Sequence, residues 1–236
     1  MEWMAAVDGW LARAGFVLIG PTCVLCAAPG APGRDLCFAC DHALPRNTCA
    51  CPRCALPLAA PAPACANCLR RAPPMAATRA ALRYEGDTRR LLPRYKFGAE
   101  LAVGRVLGGL LVEAVASAAR PDLLLPVPLH PTRLRERGFD QAWELARAVA
   151  RELDLPARCD VLSRVRATPA QTGLDAAARR RNLREAFRAD PAVRGLRVAL
   201  VDDVMTTGAT VHAAARALRR AGAASVDAWV VARAPR

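Results

Sequence analysis

The chain of 236 residues is almost without lysine: of 34 basic residues, Lys96 alone is lysine and the rest are arginine. Ala, Gly and Pro are abundant beside it. That skew points to GC-rich coding rather than to selection for a DNA-binding surface, so the formal net charge of +13 does not by itself argue for one. Aromatics are scarce, at 5%. Between Pro21 and Arg71 the only Phe, Tyr or Trp is Phe38, which leaves that region without a row of rings for bases to stack on. No apolar run reaches the ~18 residues of a membrane span. The opening Met-Glu-Trp-Met-Ala-Ala-Val-Asp places acids where an export signal carries a basic segment, so a reducing, cytoplasmic compartment is expected. The Gly-x4-Gly-Lys-Ser/Thr spacing is also missing, which excludes a Walker-type cradle for a triphosphate chain.

Cysteine, by contrast, is patterned. Four Cys-x2-Cys pairs occupy Cys23/Cys26, Cys37/Cys40, Cys51/Cys54 and Cys65/Cys68, each starting 14 residues after the last. Each pair chelates from a tight turn, and two pairs complete a tetrahedral four-thiolate Zn²⁺ site, so two structural zinc ions are expected. Sequential and cross-braced pairing both fit the equal spacing; sequential closure forms the shorter loops. Eight thiolates and two Zn²⁺ would bring the net charge to +9. Cys49 falls out of register and reads as a bystander. Cys159 reads as a core residue at the start of a strand.

An apolar fraction of 53% supplies a sizeable core. Trp3, Val7, Trp10, Leu11 and Ala14 recur at helical spacing, so residues 1–20 are expected to form an amphipathic helix, packed on its own protein or docked on a membrane or partner. Residues 21–72 form the cysteine-rich module, and Ala-Pro-Pro-Met-Ala-Ala at 72–77 leads out of it. From 78 to 236 strands and helices alternate. Strands are expected at 79–84, 122–127, 159–163, 197–201 and 225–232, with helices at 88–96, 99–118, 140–153, 175–184 and 210–221. Such alternation predicts an α/β domain with a doubly wound parallel sheet, whose ligands bind beyond the carboxyl ends of strands.

Two strand ends qualify. Residues 198–211 read Val-Ala-Leu-Val-Asp-Asp-Val-Met-Thr-Thr-Gly-Ala-Thr-Val: a buried strand, two carboxylates, then a Thr/Gly turn into a helix. Backbone N–H groups at the helix start and Thr hydroxyls suit a phosphate, and the carboxylates suit sugar hydroxyls. The stretch resembles the 5-phosphoribosyl-1-pyrophosphate (PRPP) signature of type I phosphoribosyltransferases. After Leu125 a Pro-rich exit turns basic, with Arg133, Arg135 and Arg137 as candidates for pyrophosphate and His130 as a surface-loop residue. The polar segment 164–182 reads equally as a flap over an anionic ligand or as an ordinary flexible loop.

Together the pieces resemble the ComF family of competence-protein-F-like phosphoribosyltransferase homologues, from about Pro21 onward. The likeness rests on the four cysteine pairs, Tyr95-Lys96-Phe97, Pro126-Val127-Pro128, Arg137-Gly138-Phe139, Gln141-Ala142, Gln171, Leu174, Arg179, Asn182, Phe187 and the PRPP-type turn. Asp140 stands where the family usually has Asn, and Ala55 where it often has Gly. The resemblance implies a double zinc ribbon on a type I phosphoribosyltransferase fold, and a role in DNA uptake and natural transformation or in nucleotide metabolism. On it, Asp202 and Asp203 are the candidate catalytic and ribose-binding residues, and Thr206, Thr207, Gly208, Ala209 and Thr210 hold the 5′-phosphate. Mg²⁺ would accompany PRPP. A second reading makes the protein a non-catalytic adaptor for single-stranded DNA or an uptake helicase, with PRPP as a regulatory ligand.

Overall fold

The computed structural model describes residues 20–165 and 186–235. The helix expected over 1–20, apart from Gly20, the helix expected at 175–184, and Gln171, Leu174, Arg179 and Asn182 of the expected flap lie outside the described residues.

The apolar runs form the sheet. β1 (Thr78–Arg83), β2 (Leu123–Pro126), β5 (Arg197–Met205) and β6 (Ser225–Arg233) are parallel neighbours in the order β1-β6-β5-β2. Strands buried on both faces read as continuous apolar runs, as Leu-Leu-Leu and Val-Ala-Leu-Val do here. Alternate side chains then serve opposite faces. On β5, Val198 and Leu200 join one core layer with the last helix, α7 (Ala209–Arg220). Ala199 and Val201 join the other, with α3 (Thr88–Gly98), α4 (Leu101–Val115) and α6 (Gln141–Leu153). The sheet is thus covered on both faces, as the alternation of elements predicts. No described helix is long and apolar enough to cross a membrane.

The expected strand at 159–163 is the main departure. Residues Leu162–Arg164 (β3) pair antiparallel with Phe187–Ala189 (β4), in a two-stranded sheet apart from the main one. Only Val161 and Leu162 are buried there; the Ser and Arg that follow cannot enter a two-faced core. Cys159 precedes this strand and is exposed, not a core residue. The edge of the main sheet beyond β2 has instead an isolated parallel bridge, Leu124 to Ala157.

The cysteine-rich module packs directly on the sheet. Its two short helices are α1 (Phe38–Ala43) and α2 (Ala66–Arg70). Backbone bonds tie it to β1: Asn47 N–H to Ala81 O at 3.0 Å and Thr78 N–H to Pro52 O at 2.9 Å. Buried Asp35 accepts from Arg105 of α4 at 2.6 and 2.9 Å. The stretch 72–77 is no loose spacer, because Met75 lies buried in the core and the Ala76 N–H bonds to Val226 O.

Candidate functional site

The cysteines assemble sequentially. Cys23, Cys26, Cys37 and Cys40 form one group, and Cys51, Cys54, Cys65 and Cys68 the other, with all sulfurs in a group within 4.8 Å of one another. The two groups are copies offset by 28 residues: the bridge Thr22–Pro29 recurs as Ala50–Pro57. In each, a knuckle closes through Cys23 N–H to Ala28 O or Cys51 N–H to Leu56 O, both at 2.8 Å. The Cys26–Cys37 and Cys54–Cys65 sulfurs are 3.7 Å apart. Thiolates held ~2.3 Å from a tetrahedral Zn²⁺ would lie roughly 3.8 Å apart, so each group fits a metal ion. Burial pushes the Cys23 and Cys51 thiols up, but neighbouring N–H groups outweigh it and lower them to about 6 and about 7. That favours the thiolate at the first cysteine of each group, while hydrogen bonds with Cys37 and Cys26 push Cys40 up and burial pushes Cys68 up. The second group is the more enclosed, with Cys51, Cys54 and Cys65 in the same core layer as β5 and α7. Cys49 belongs to neither group.

At the carboxyl end of β5 the strand runs on to Met205, beyond the expected end at Val201. Asp202 and Asp203 therefore lie within the paired strand, with Asp202 opposite Val230. Successive strand residues face opposite ways, so the two carboxylates meet different neighbours. Asp203, buried, takes the ammonium of Lys96 from α3 at 3.0 Å. Asp202 feels Arg164 of β3, whose charge its own supports. Burial, then the charge of Asp203, holds the Asp202 carboxyl well above the usual carboxylate range, although Lys96 and the Asp203 N–H at 2.9 Å oppose the shift.

The turn after Met205 is built for close approach. Gly208 has φ 78° and caps α7; a Cβ there would meet Met205 Cε at 2.6 Å and His212 Nε2 at 2.9 Å. Thr206 and Thr207 are exposed, and Thr207 Oγ1 accepts from the Ala209 N–H at 3.3 Å. The first amides of α7 and the two hydroxyls are thus presented beside the carboxylates. Behind the turn, buried Arg233 donates Nε to Cys54 O at 2.9 Å and Nη1 to Met205 O at 2.9 Å, and bonds Thr206 O as well. One guanidinium joins the second cysteine knuckle to the Thr-Thr-Gly turn.

The basic stretch after β2 is a helix, α5 (Pro131–Arg137), with His130 as its N-cap and Gly138 at φ 77° as its C-cap. Arg133 and Arg137, four residues apart, share a face and are half-buried, while Arg135 is exposed on the other side. Arg137 Nη1 donates to Gln141 Oε1 at 2.9 Å and stacks over Phe97, its Cζ 5.1 Å from the ring centroid. Gln141 also reaches Lys96 O. Asp140 caps α6 through Ala142 and Trp143 N–H, a task Asn performs equally. Lys96, Arg164 and Arg233 are not marked as site residues by the sequence pattern. Lys96 carries two signals, its rarity and its place in Tyr95-Lys96-Phe97, and Arg164 opens the polar segment 164–182; Arg233 depends on the fold to reach the turn.

A parallel sheet covered on both faces, a paired acidic strand end and a Thr-Thr-Gly turn define a phosphoribosyltransferase-type domain carrying a cysteine-rich module. The model of the phosphoribosyl transferase domain matches residues 140–236. The chain is 36% identical over 218 residues to "DNA utilization protein YhgH" of Salmonella typhimurium, spanning 89% of this chain and 96% of the relative. "Competence protein F" of Haemophilus influenzae is 36% identical over 72% of this chain and 78% of its own length. "Competence protein ComFC" of Bacillus subtilis is 28% identical over 86% of this chain and 85% of its own. This protein belongs to the ComF family.

Proposed function

We propose that this protein binds PRPP at the carboxyl end of β5 and acts in the use of incoming DNA in the cytoplasm. The observation that carries the ligand is the convergence at one strand end of two carboxylates with a Thr-Thr-Gly helix start. Asp202 and Asp203 accept from the ribose hydroxyls, and Thr206 to Thr210 hold the 5′-phosphate. Arg133 and Arg137, on the shared face of α5, take the pyrophosphate, with Arg135 in an outer role. If the site turns over, an acceptor atom bonds to C1 as the C1–oxygen bond breaks. Pyrophosphate then leaves with the electron pair, through oxocarbenium-like charge. Mg²⁺ would enter with PRPP and neutralise its diphosphate. Zn²⁺ fits both four-cysteine groups as a structural ion.

The relatives' names speak of DNA utilization and competence, and this favours a second reading. In it the protein is an adaptor for single-stranded DNA or a helicase, with PRPP as its regulatory ligand. Calorimetric titration of PRPP, with and without Mg²⁺, tests the shared claim; ribose 5-phosphate should bind more weakly, and absence of PRPP binding would reject it. Labelled single-stranded DNA titrated at rising salt, with and without PRPP, separates the readings. Binding that falls steeply with salt and yields to PRPP supports a shared arginine site. No binding at low salt leaves a protein partner as the route to DNA.

A further inference from the structure

The 34 basic residues include one lysine, and it lies in the site. Lys96 Nζ is 3.0 Å from Asp203 Oδ2, and its side chain is 23% exposed against 11% for the aspartate. Random placement would put the lone lysine at this position about one time in 34. Wherever this chain needs a plain positive charge or a strong ion pair, it uses arginine, as at Arg197–Asp122 and Arg105–Asp35. If the pair with Asp203 served stability alone, arginine would serve better, because its planar fork grips a carboxylate bidentately. Lysine differs in being a compact charge on a flexible stem, with rotatable donors that release and re-form bonds readily.

The surroundings give that mobility a use. Asp203 is asked to accept a ribose hydroxyl, yet here it holds an ammonium. Without that ammonium, the Asp203 carboxylate at the strand end would repel an arriving anion. Lys96 is also joined to the basic side. Gln141 bonds both the Lys96 carbonyl, at 3.4 Å, and the Arg137 guanidinium, at 2.9 Å.

We propose that Lys96 is an exchangeable counter-ion. It neutralises Asp203 until PRPP arrives, then yields that carboxylate to a ribose hydroxyl and moves its ammonium to the diphosphate oxygens on the Arg137 side. The proposal rests on the reading of the site as a PRPP site and adds a ligand-binding residue to it.

The lone lysine makes the test simple, since Lys96 and the α-amino group are the only amines of the chain that an acylating reagent can turn into stable amides. The rate of Lys96 acylation is read by peptide mass spectrometry with no ligand, with Mg²⁺-PRPP, with ribose 5-phosphate and with Mg²⁺-pyrophosphate. PRPP should slow acylation at least fivefold and pyrophosphate should slow it in part, while ribose 5-phosphate, lacking the diphosphate, should not. Protection by ribose 5-phosphate equal to that by PRPP would place the ammonium on the wrong phosphate and overturn the proposal. Lys96→Arg should then weaken PRPP binding tenfold or more in calorimetry at an unchanged melting temperature, although charge is kept, and Lys96→Met should weaken it further. Binding by Lys96→Arg within twofold of the parent, with acylation indifferent to PRPP, would show an ordinary ion pair. If the parent itself binds no PRPP, the reading of the site fails first, and calorimetry on the parent alone reveals that case.

Discussion

Asp202 is a residue whose placement works against the fold. Its carboxyl is held well above the ordinary value of 3.8 by burial and then by Asp203. For an acid raised in the folded state, the unfolded chain ionises first as pH rises through about 3.8, so stability falls between there and the folded-state value. Asp202→Asn should therefore melt higher than the parent at neutral pH, and the advantage should vanish as pH falls below about 3.8. A substitution that stabilises the fold while impairing ligand binding marks a functional site. Melting curves of the pair at several pH values check this, and a lower melting temperature at neutral pH would mean that the ionised carboxylate is structurally wanted. The knuckles hold a smaller strain. Ala27 and Ala55 follow corresponding cysteines with φ of 62° and 54°, a left-handed conformation that favours glycine. Ala27 is exposed, so Ala27→Gly loses no packing and should stabilise the first knuckle by about 1 kcal/mol. Ala55 is buried, and its lost methyl would offset part of that gain.

Among the elements, the turn from β5 into α7 was legible because its chemistry is contiguous: strand, carboxylates, threonines and glycine follow one another in the chain. The elements that face it were not. Arg233 reaches Cys54 O across 179 residues of chain, which no local pattern records. The basic stretch at 131–137 reads as a loop because its helix is only 7 residues long and is marked mainly by Pro131 and Gly138. At 159–163 a two-residue apolar core is too little to distinguish a central strand from a hairpin arm. The Arg233 link also makes the two cysteine groups unequal. Cys65→Ser strikes the group whose knuckle carbonyl holds Arg233 and, through it, the turn at Met205 and Thr206. Cys37→Ser strikes the group with exposed Cys26, which packs toward α3 and α4. Cys65→Ser should thus reduce PRPP affinity and lower the melting temperature more than Cys37→Ser. Equal losses of PRPP affinity, measured by calorimetry on both variants, would mean that the link does not transmit.

At the scale of the whole molecule, the expected boundary between a cysteine-rich module and an α/β domain describes chain order rather than separable bodies. Cys51, Cys54 and Cys65 lie in one core layer with Leu200 and Val211. The fold class was legible, because alternating elements and paired cysteines are local patterns; the docking of one part on the other was not, because it joins residues far apart in the chain, such as Arg233 and Cys54. Metal analysis of purified protein should find two zinc ions per chain, one for each four-cysteine group. A ratio near one, or iron, would contradict the two equivalent knuckles.

The central claim is that the acidic end of β5 binds the ribose of PRPP. Its most direct test is calorimetry of Mg²⁺-PRPP on the parent and on Asp202→Ala/Asp203→Ala, which removes both acceptors, with the melting temperature of each protein measured alongside. Each lost hydrogen bond is worth about 0.5–1.5 kcal/mol, so the double variant should bind roughly ten- to a hundredfold more weakly while remaining folded. Unchanged affinity in a folded double variant would contradict the account.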